Sequence, residues 1–233
     1  MFTRVLFGTL LLPFAFVAAA SPITYDVTVD TSSIAGTAGS LDFQFNPGPL
    51  VTQSASLQIL SFSSGGTLTG SPALTGDVAG TLATTLTFDN GSGFNDYFGG
   101  FKFGQMLSFV MNLSGTALSA PDGVSTSGST FAFSMFSDAA GTIPTLTTDT
   151  TNGFAFLVNV NLDGTTTVAN SSVQTVLAQG GSAATPEPGA LPLLALAVGL
   201  WFIFRLGLHR GDPLWRRLCS FKIGPMPRFG VRD

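Results

Sequence analysis

Carboxyl groups supply the best candidates for chemistry in the long middle section of this chain. Asp89 and Asp96 flank a turn and lie beside the aromatic-rich segment 94–103. Two carboxyls at a suitable separation can act as acid and nucleophile on a glycosidic bond. Aspartates in a turn-rich loop more often accept hydrogen bonds from backbone amides. We therefore favour a structural role for this pair.

The aromatic segment itself suggests a second kind of site. Tyr97 follows Asp96, and an exposed aromatic ring beside polar side chains can stack on a sugar while they bond its hydroxyls. The more common alternative is that such a cluster belongs to the core, especially where Phe101 and Phe103 alternate with polar residues. Sugar binding through Tyr97, with Asp96 and Asp89 nearby, is thus a speculative ligand site.

Calcium is a further alternative. Asn159, Asn161 and Asp163, followed by a glycine, match the start of a calcium-binding loop, but Asn170 stands where a bidentate glutamate is expected. A hairpin turn explains the motif better, with Val158, Val160 and Leu162 facing the core. We predict no metal site here and no cofactor, while Ca²⁺ bound by other aspartates stays open.

The residues that most hydrolases require are missing from the middle of the chain. The histidine and the cysteine of this protein are His209 and Cys219, both close to the C-terminus. Residues 21–184 therefore lack Ser-His-Asp and Cys-His nucleophiles and a histidine-ligated zinc site. We expect a protein that is not an enzyme, and a glycan-active enzyme is the least favoured alternative.

The N-terminus has the features of a secretory signal peptide. Residues 1–20 carry one positive charge, Arg4, followed by an apolar stretch that contains no charged residue. Ala18 and Ala20 are small residues at the positions that signal peptidase reads, which predicts cleavage before Ser21.

Charge is segregated along the rest of the chain. Residues 21–184 contain ten aspartates and one lysine, a net charge of −9, whereas residues 205–233 carry a net charge of +5. Between them, residues 189–204 are uncharged and apolar, and with a few flanking residues they approach the thickness of a bilayer. The positive-inside rule then predicts one transmembrane helix with the acidic domain outside and Arg205 inside. A buried core helix and a nucleic-acid-binding tail are weaker interpretations.

The acidic section alternates apolar and polar residues, which is typical of antiparallel strands with one buried face. We predict an all-β domain over residues 21–178, an antiparallel β-sandwich of jelly-roll-like type. Residues 172–179 show some helical periodicity, and residues 179–185 have the composition of a flexible linker. The predicted strands are 23–29, 41–45, 82–88, 101–103, 107–113, 131–135, 154–162 and 165–168.

A proline-bracketed motif precedes the apolar run, which ends at the basic residue Arg205. Its residues are Pro186, Glu187 and Pro188. Motif, apolar helix and basic end, over residues 186–210, resemble the PEP-CTERM sorting signal of Gram-negative bacteria. The resemblance implies recognition and cleavage by exosortase, a membrane-embedded enzyme. It also implies a host that makes extracellular polysaccharide and biofilm.

The acidic domain itself resembles an uncharacterised group of PEP-CTERM proteins, which implies no activity. The similar stretches are 29–33, 41–48 and 95–98. Residues 211–233 form a basic tail that is atypical, because such chains usually end soon after the basic cluster.

Together these features predict a protein exported across the inner membrane, held briefly by one span, and then found at the cell surface or secreted. Signal peptidase and exosortase would be its processing partners. Its expected role is structural or adhesive, in association with extracellular polysaccharide. A carbohydrate-binding module of the matrix is the main alternative.

Overall fold

The computed structural model describes residues 22–180, and those residues form an all-β fold of two antiparallel sheets. The predicted signal peptide, sorting signal and basic tail lie outside the described residues. The strands are, in chain order, β1 (Ile23–Asp30), β2 (Ala38–Pro47), β3 (Ser56–Ser64), β4 (Thr67–Thr75), β5 (Val78–Gly80), β6 (Thr85–Asp89), β7 (Asp96–Lys102), β8 (Met106–Ser114), β9 (Ser129–Phe136), β10 (Phe154–Val160), β11 (Thr166–Asn170) and β12 (Thr175–Gln179).

Each sheet has six strands. The first sheet has the order β12-β1-β8-β3-β6-β5 and the second has the order β11-β10-β9-β2-β7-β4. The chain alternates between the sheets in a nested way: β1 pairs with β8, β2 with β7, and β3 with β6. The C-terminal strands then extend both sheets, since β9 to β11 continue from β2 and β12 lies beside β1.

The core lies between the two sheets and is rich in phenylalanine. Because side chains alternate along a strand, every second residue points to the opposite sheet. Phe43 and Phe133 from the second sheet pack on Phe109 from the first, with ring centroids 5.3 and 5.4 Å from that of Phe109. Each buried phenylalanine stabilises the fold by about 1.5–3 kcal/mol, so this contact holds the two layers together.

The alternation locates most of these strands. It misses β3, β4, β5 and β12, and it covers only the last two residues of β7. β4 is exposed along its whole length and contains Pro72, so its sequence has no alternating apolar face from which a strand could be predicted. The second half of β3 also lacks a buried face.

The predicted helical character of residues 172–179 is wrong. Thr175–Gln179 forms β12, which pairs with β1 from Tyr25 to Val29. Gln179, the first residue of the predicted linker, therefore belongs to the sheet. The backbone hydrogen bonds offered by β1 outweigh a short and weak helical pattern.

Helices are short within residues 22–180. The structure has one turn of 3-10 helix, Ser32–Ile34, and one of α-helix, α1 (Thr116–Ser119). Within the described range, no helix is both long and apolar enough to cross a membrane. The predicted span at 189–204 lies outside that range.

Candidate functional site

Two carboxyls from neighbouring strands lie on the outer face of the second sheet. Leu41 and Phe43 point into the core, so Asp42 between them points outward. Asp96, the first residue of β7, lies directly opposite Gln44 of β2. It is thus a diagonal neighbour of Asp42 on the same face.

Asp42 is almost covered although it faces outward, being only 9% exposed. Phe98 of β7 lies directly opposite it on one side and Ser134 of β9 on the other. We call residues 137–153, which connect β9 to β10, the covering loop. This loop packs on the Phe98 ring, because a Cβ atom added at Gly141 would lie 2.7 Å from Phe98 Cε2.

A second contact holds the covering loop on the sheet. The Ser40 hydroxyl, which is fully buried, donates to the carbonyl oxygen of Asp138 at 2.9 Å. Phe136 adds an aromatic contact with Phe98, with ring centroids 6.5 Å apart. The loop therefore removes water from the side of the carboxyl pair next to Phe98.

The hydrogen bonds around the pair leave two acceptors without donors. Gln44 Nε2 donates to Asp42 Oδ2 at 2.9 Å. Asp42 Oδ1 and Asp96 Oδ1 are buried and have no partner among the described residues. A buried acceptor without a donor costs about 1–3 kcal/mol, so this arrangement favours a proton held between the two carboxyls.

Electrostatics favour the same conclusion. Burial raises the pKa of Asp42 to about 8, and the hydrogen bond and negative charge of Asp96 act in the same direction. Burial also raises the pKa of Asp96, while its hydrogen bond with Asp42 lowers it. Near neutral pH Asp42 is therefore a neutral acid, whose proton can be donated to Asp96.

A row of amide and hydroxyl groups crosses the same outer face. Asn46 of β2 lies opposite Thr130 of β9, and Asn159 of β10 lies between Thr130 and Thr167 of β11. We call these four residues the polar row. Thr130 Oγ1 donates to Asn159 Oδ1 at 2.8 Å, and all four side chains are partly or fully exposed. Since adjacent strands are about 4.8 Å apart, the row presents evenly spaced groups that suit a hydroxyl-rich ligand.

The carboxyl pair is poorly placed for glycosidic bond cleavage. Such enzymes need two carboxyls that both reach the glycosidic bond. Asp42 is only 9% exposed beside Asp96, so a glycosidic oxygen has no open approach to its carboxyl. Water-activating acid pairs also need an open face, and Asp42 is nearly covered.

The structure places Tyr97 in the core. Its side chain is 1% exposed and packs edge-on against Phe43, with ring centroids 5.8 Å apart. A ring so enclosed offers no face to a sugar, which corrects the speculative stacking role. Phe101 and Phe103 are buried as well, as the core alternative predicts. Within this segment, Phe98 lies partly buried on the outer face, and Phe94, which precedes β7, is 49% exposed.

Asp89 and Asp96 do not form a site together. Asp89 ends β6 in the first sheet, where it is exposed and accepts a hydrogen bond from the Ser56 hydroxyl. Asp96 begins β7 in the second sheet. The partner of Asp96 is Asp42, which the sequence analysis missed because a polar residue in an alternating strand is usually solvated.

The turn between these strands depends on an asparagine. Asn95 is fully buried, and its Oδ1 accepts the amide of Asp77 at 2.8 Å. Its Nδ2 donates to the carbonyl oxygens of Phe45 and Ser92, each at 2.9 Å. The side chain therefore replaces backbone hydrogen bonds that the turn cannot make.

The 159–164 motif forms the turn of a hairpin, as the alternative to a calcium loop predicts. Asp163 Oδ1 accepts the amide of Thr165 at 3.0 Å, and Asn161 Nδ2 donates to Thr165 Oγ1 at 3.0 Å. Leu162 is 50% exposed, so its predicted place in the core is wrong. Across residues 22–180, no three His, Cys, Asp or Glu side chains are grouped so that they could hold a metal ion.

Comparison with known proteins assigns no relative. No protein-family model matches this chain, no curated protein matches it, and no solved structure matches it. The residues of the predicted sorting motif and of the signal cleavage site lie outside the described residues.

Proposed function

We propose that this chain is an exported protein, sorted by exosortase, whose β-sandwich acts without catalysis at the cell surface or in the extracellular polysaccharide. The sorting part of the proposal rests on the sequence. A signal peptide ends at Ala20, and Pro186, Glu187 and Pro188 precede an apolar run that ends at Arg205 and that spans the membrane once before processing. The resemblance to PEP-CTERM signals implies signal peptidase and exosortase as processing enzymes in a Gram-negative host.

The observation that carries the non-catalytic role is the state of the carboxyl pair. Asp42 is a neutral acid near pH 7 and only 9% exposed, so it stabilises the sheet surface and offers no open carboxyl to a substrate bond. The proposal needs no cofactor and no nucleic acid. A structural or adhesive component of the matrix fits these properties.

The nested strand pairing supports a finer description of the domain. Pairs β1–β8, β2–β7 and β3–β6 alternate between the two sheets, as a long hairpin does when it is wrapped around a core. We propose a jelly-roll with eight central strands, to which β9 to β12 are added at the edges.

The mature ends of the protein test the sorting proposal. We expect mass spectrometry of the protein recovered from a native-like host to find an N-terminus at Ser21 and a C-terminus near Pro188. The control is the Pro186→Ala, Pro188→Ala double variant, which should keep its C-terminal segment. Recovery of the wild type with Asp233 intact would contradict processing by exosortase.

Carbohydrate binding is the second candidate, and the polar row is the observation that favours it. Hydroxyl and amide groups at strand spacing can bond successive sugars, while the partly buried Phe98 supplies an apolar contact. We expect Asn46→Ala with Asn159→Ala to reduce retention on the host's own polysaccharide. Thr28→Ala, an exposed change on the first sheet, is the matched control. Equal retention of all three proteins would refute binding through this face.

A further inference from the structure

One end of the sandwich exposes four aliphatic side chains. Leu50 and Val51 are each 66% exposed, Val124 is 74% exposed and Leu162 is 50% exposed. We call these four residues the aliphatic tip. A contiguous group of exposed apolar side chains marks a contact surface more often than a single one does.

Three segments of the chain bring the tip together. The carbonyl oxygen of Val51 accepts the amides of Thr126 and Ser127, each at 3.0 Å, which holds the segments around Val51 and Val124 side by side. Leu162 lines a shallow depression together with Thr52 and Ser125, the residues that directly follow Val51 and Val124. The four tip residues therefore lie on neighbouring segments and are not scattered.

The tip lies at the end where the chain leaves the domain. Gly180 donates its amide to the carbonyl oxygen of Thr24 at 2.9 Å. Tyr25, which follows Thr24, shares a hydrogen bond through its hydroxyl with the Thr166 hydroxyl, at 2.7 Å. Thr166 is the first residue of β11, the strand that follows the turn containing Leu162. The opposite end of the sandwich carries Val173, which is 87% exposed.

The length of the segment between the domain and the apolar run limits what the aliphatic tip can contact. Along the chain, residues 181–188 separate Gly180 from the apolar run at 189–204. A chain of eight residues spans at most about 26–29 Å, even when it is fully extended. If the apolar run spans the membrane, as the proposed function holds, the tip stays close to the bilayer surface and meets lipid at high effective concentration.

Charge indicates which lipids suit the tip. Asp163 follows Leu162, and Asp122 lies two residues before Val124. Hydrogen bonds from Ser125 and Val124 lower the pKa of Asp122, and those from Thr165 lower the pKa of Asp163, so both stay ionised. Two carboxylates beside the aliphatic groups disfavour an anionic surface.

We propose that the aliphatic tip rests on the membrane surface, inserting Leu50, Val51, Val124 and Leu162 among zwitterionic phospholipids. This inference rests on the membrane span of the proposed function. The contact orients the sandwich while the chain is still anchored. Its outer faces then stand away from the bilayer.

Fluorescence quenching by lipid tests the contact in the full chain. In a Cys219→Ser background, Val124→Cys and Val173→Cys are each labelled with an environment-sensitive dye. The chains are placed in phosphatidylcholine vesicles that contain a nitroxide-labelled lipid. We expect the dye at position 124 to shift to the blue and to lose emission as the nitroxide fraction rises, whereas the dye at 173 stays unchanged. Adding Leu50→Asp should reduce quenching at 124, and replacing part of the lipid with an anionic one should do the same.

The other outcomes each overturn the inference in a recognisable way. Chains that float with the vesicles but show no quenching at 124 have a span and no lipid contact at the tip. Chains that do not float contradict the predicted span, and the inference loses its premise. A blue shift without quenching, growing with protein concentration, would show that a second copy of the chain covers the tip.

Discussion

Replacing Asp42 with asparagine tests whether the carboxyl pair holds a proton. The asparagine has the same shape, and its amide can donate to Asp96 while its oxygen accepts from Gln44. It therefore reproduces the hydrogen bonds of the neutral acid at every pH. The variant removes the titration of Asp42 and leaves the packing in place.

The sign of the effect follows from the direction of the pKa change. In the folded protein the pKa of Asp42 is about 8, above the ordinary value of 3.8. Between those values the folded state binds more protons than the unfolded state, so the contribution of Asp42 to stability is lost as the pH rises. It is fully present below pH 4 and absent above pH 8.

The two pKa values also set an upper limit on how much Asp42 changes the free energy of unfolding. One pKa unit corresponds to about 1.4 kcal/mol, which gives at most about 6 kcal/mol across the interval. Movement of the covering loop and entry of water reduce the cost of the ionised pair, so we expect about 3 kcal/mol. The free energy of unfolding of Asp42→Asn should match that of the wild type near pH 4 and exceed it by that amount near pH 9.

The assay is urea unfolding of the full chain in mild detergent, followed by near-ultraviolet circular dichroism of the buried tyrosines from pH 4 to pH 9. Asp26→Asn, an exposed change on β1, removes the same charge without touching the pair and should follow the wild type throughout. A profile for Asp42→Asn that runs parallel to the wild type, or a variant that is less stable at pH 9, would refute the shared proton.

Two further substitutions test the surroundings of the pair. Gly141→Ala should destabilise by about 1–3 kcal/mol and increase hydrogen exchange in the covering loop, because the new methyl group meets the Phe98 ring. Gly123→Ala has a similar positive φ but meets no neighbouring atom, so it should lose less stability than Gly141→Ala. Equal losses of stability would show that contact with the Phe98 ring is not the cause. Asn95→Ala should cost about 2–4 kcal/mol in the free energy of unfolding, since the Phe45 carbonyl and two other backbone groups lose their partner. A loss below that of an exposed Asn152→Ala control would contradict this account.

Strand positions with a clear two-residue period could be predicted from the sequence, because burial of one face imposes that period. β1 and β8 show it in both residue type and burial. β2 and β9 show it in residue type, although both of their faces are largely covered. β4 and β12 could not be predicted, because they are edge strands whose side chains are largely exposed. Their place depends on backbone groups offered by β7 and β1, and hydrogen bonding of this kind leaves almost no pattern in side-chain types.

The sequence by itself determines that residues 21–184 contain no histidine or cysteine, that the domain is acidic, and that a motif, an apolar run and a basic end follow one another. Those properties are read from residue types and order alone. Only the tertiary structure decides that Asp42 meets Asp96, because strand pairing brings together residues that are far apart in the chain. It also decides that Tyr97 is buried while Asp42 is covered from outside, since the packing of a loop on a sheet is not encoded in local alternation.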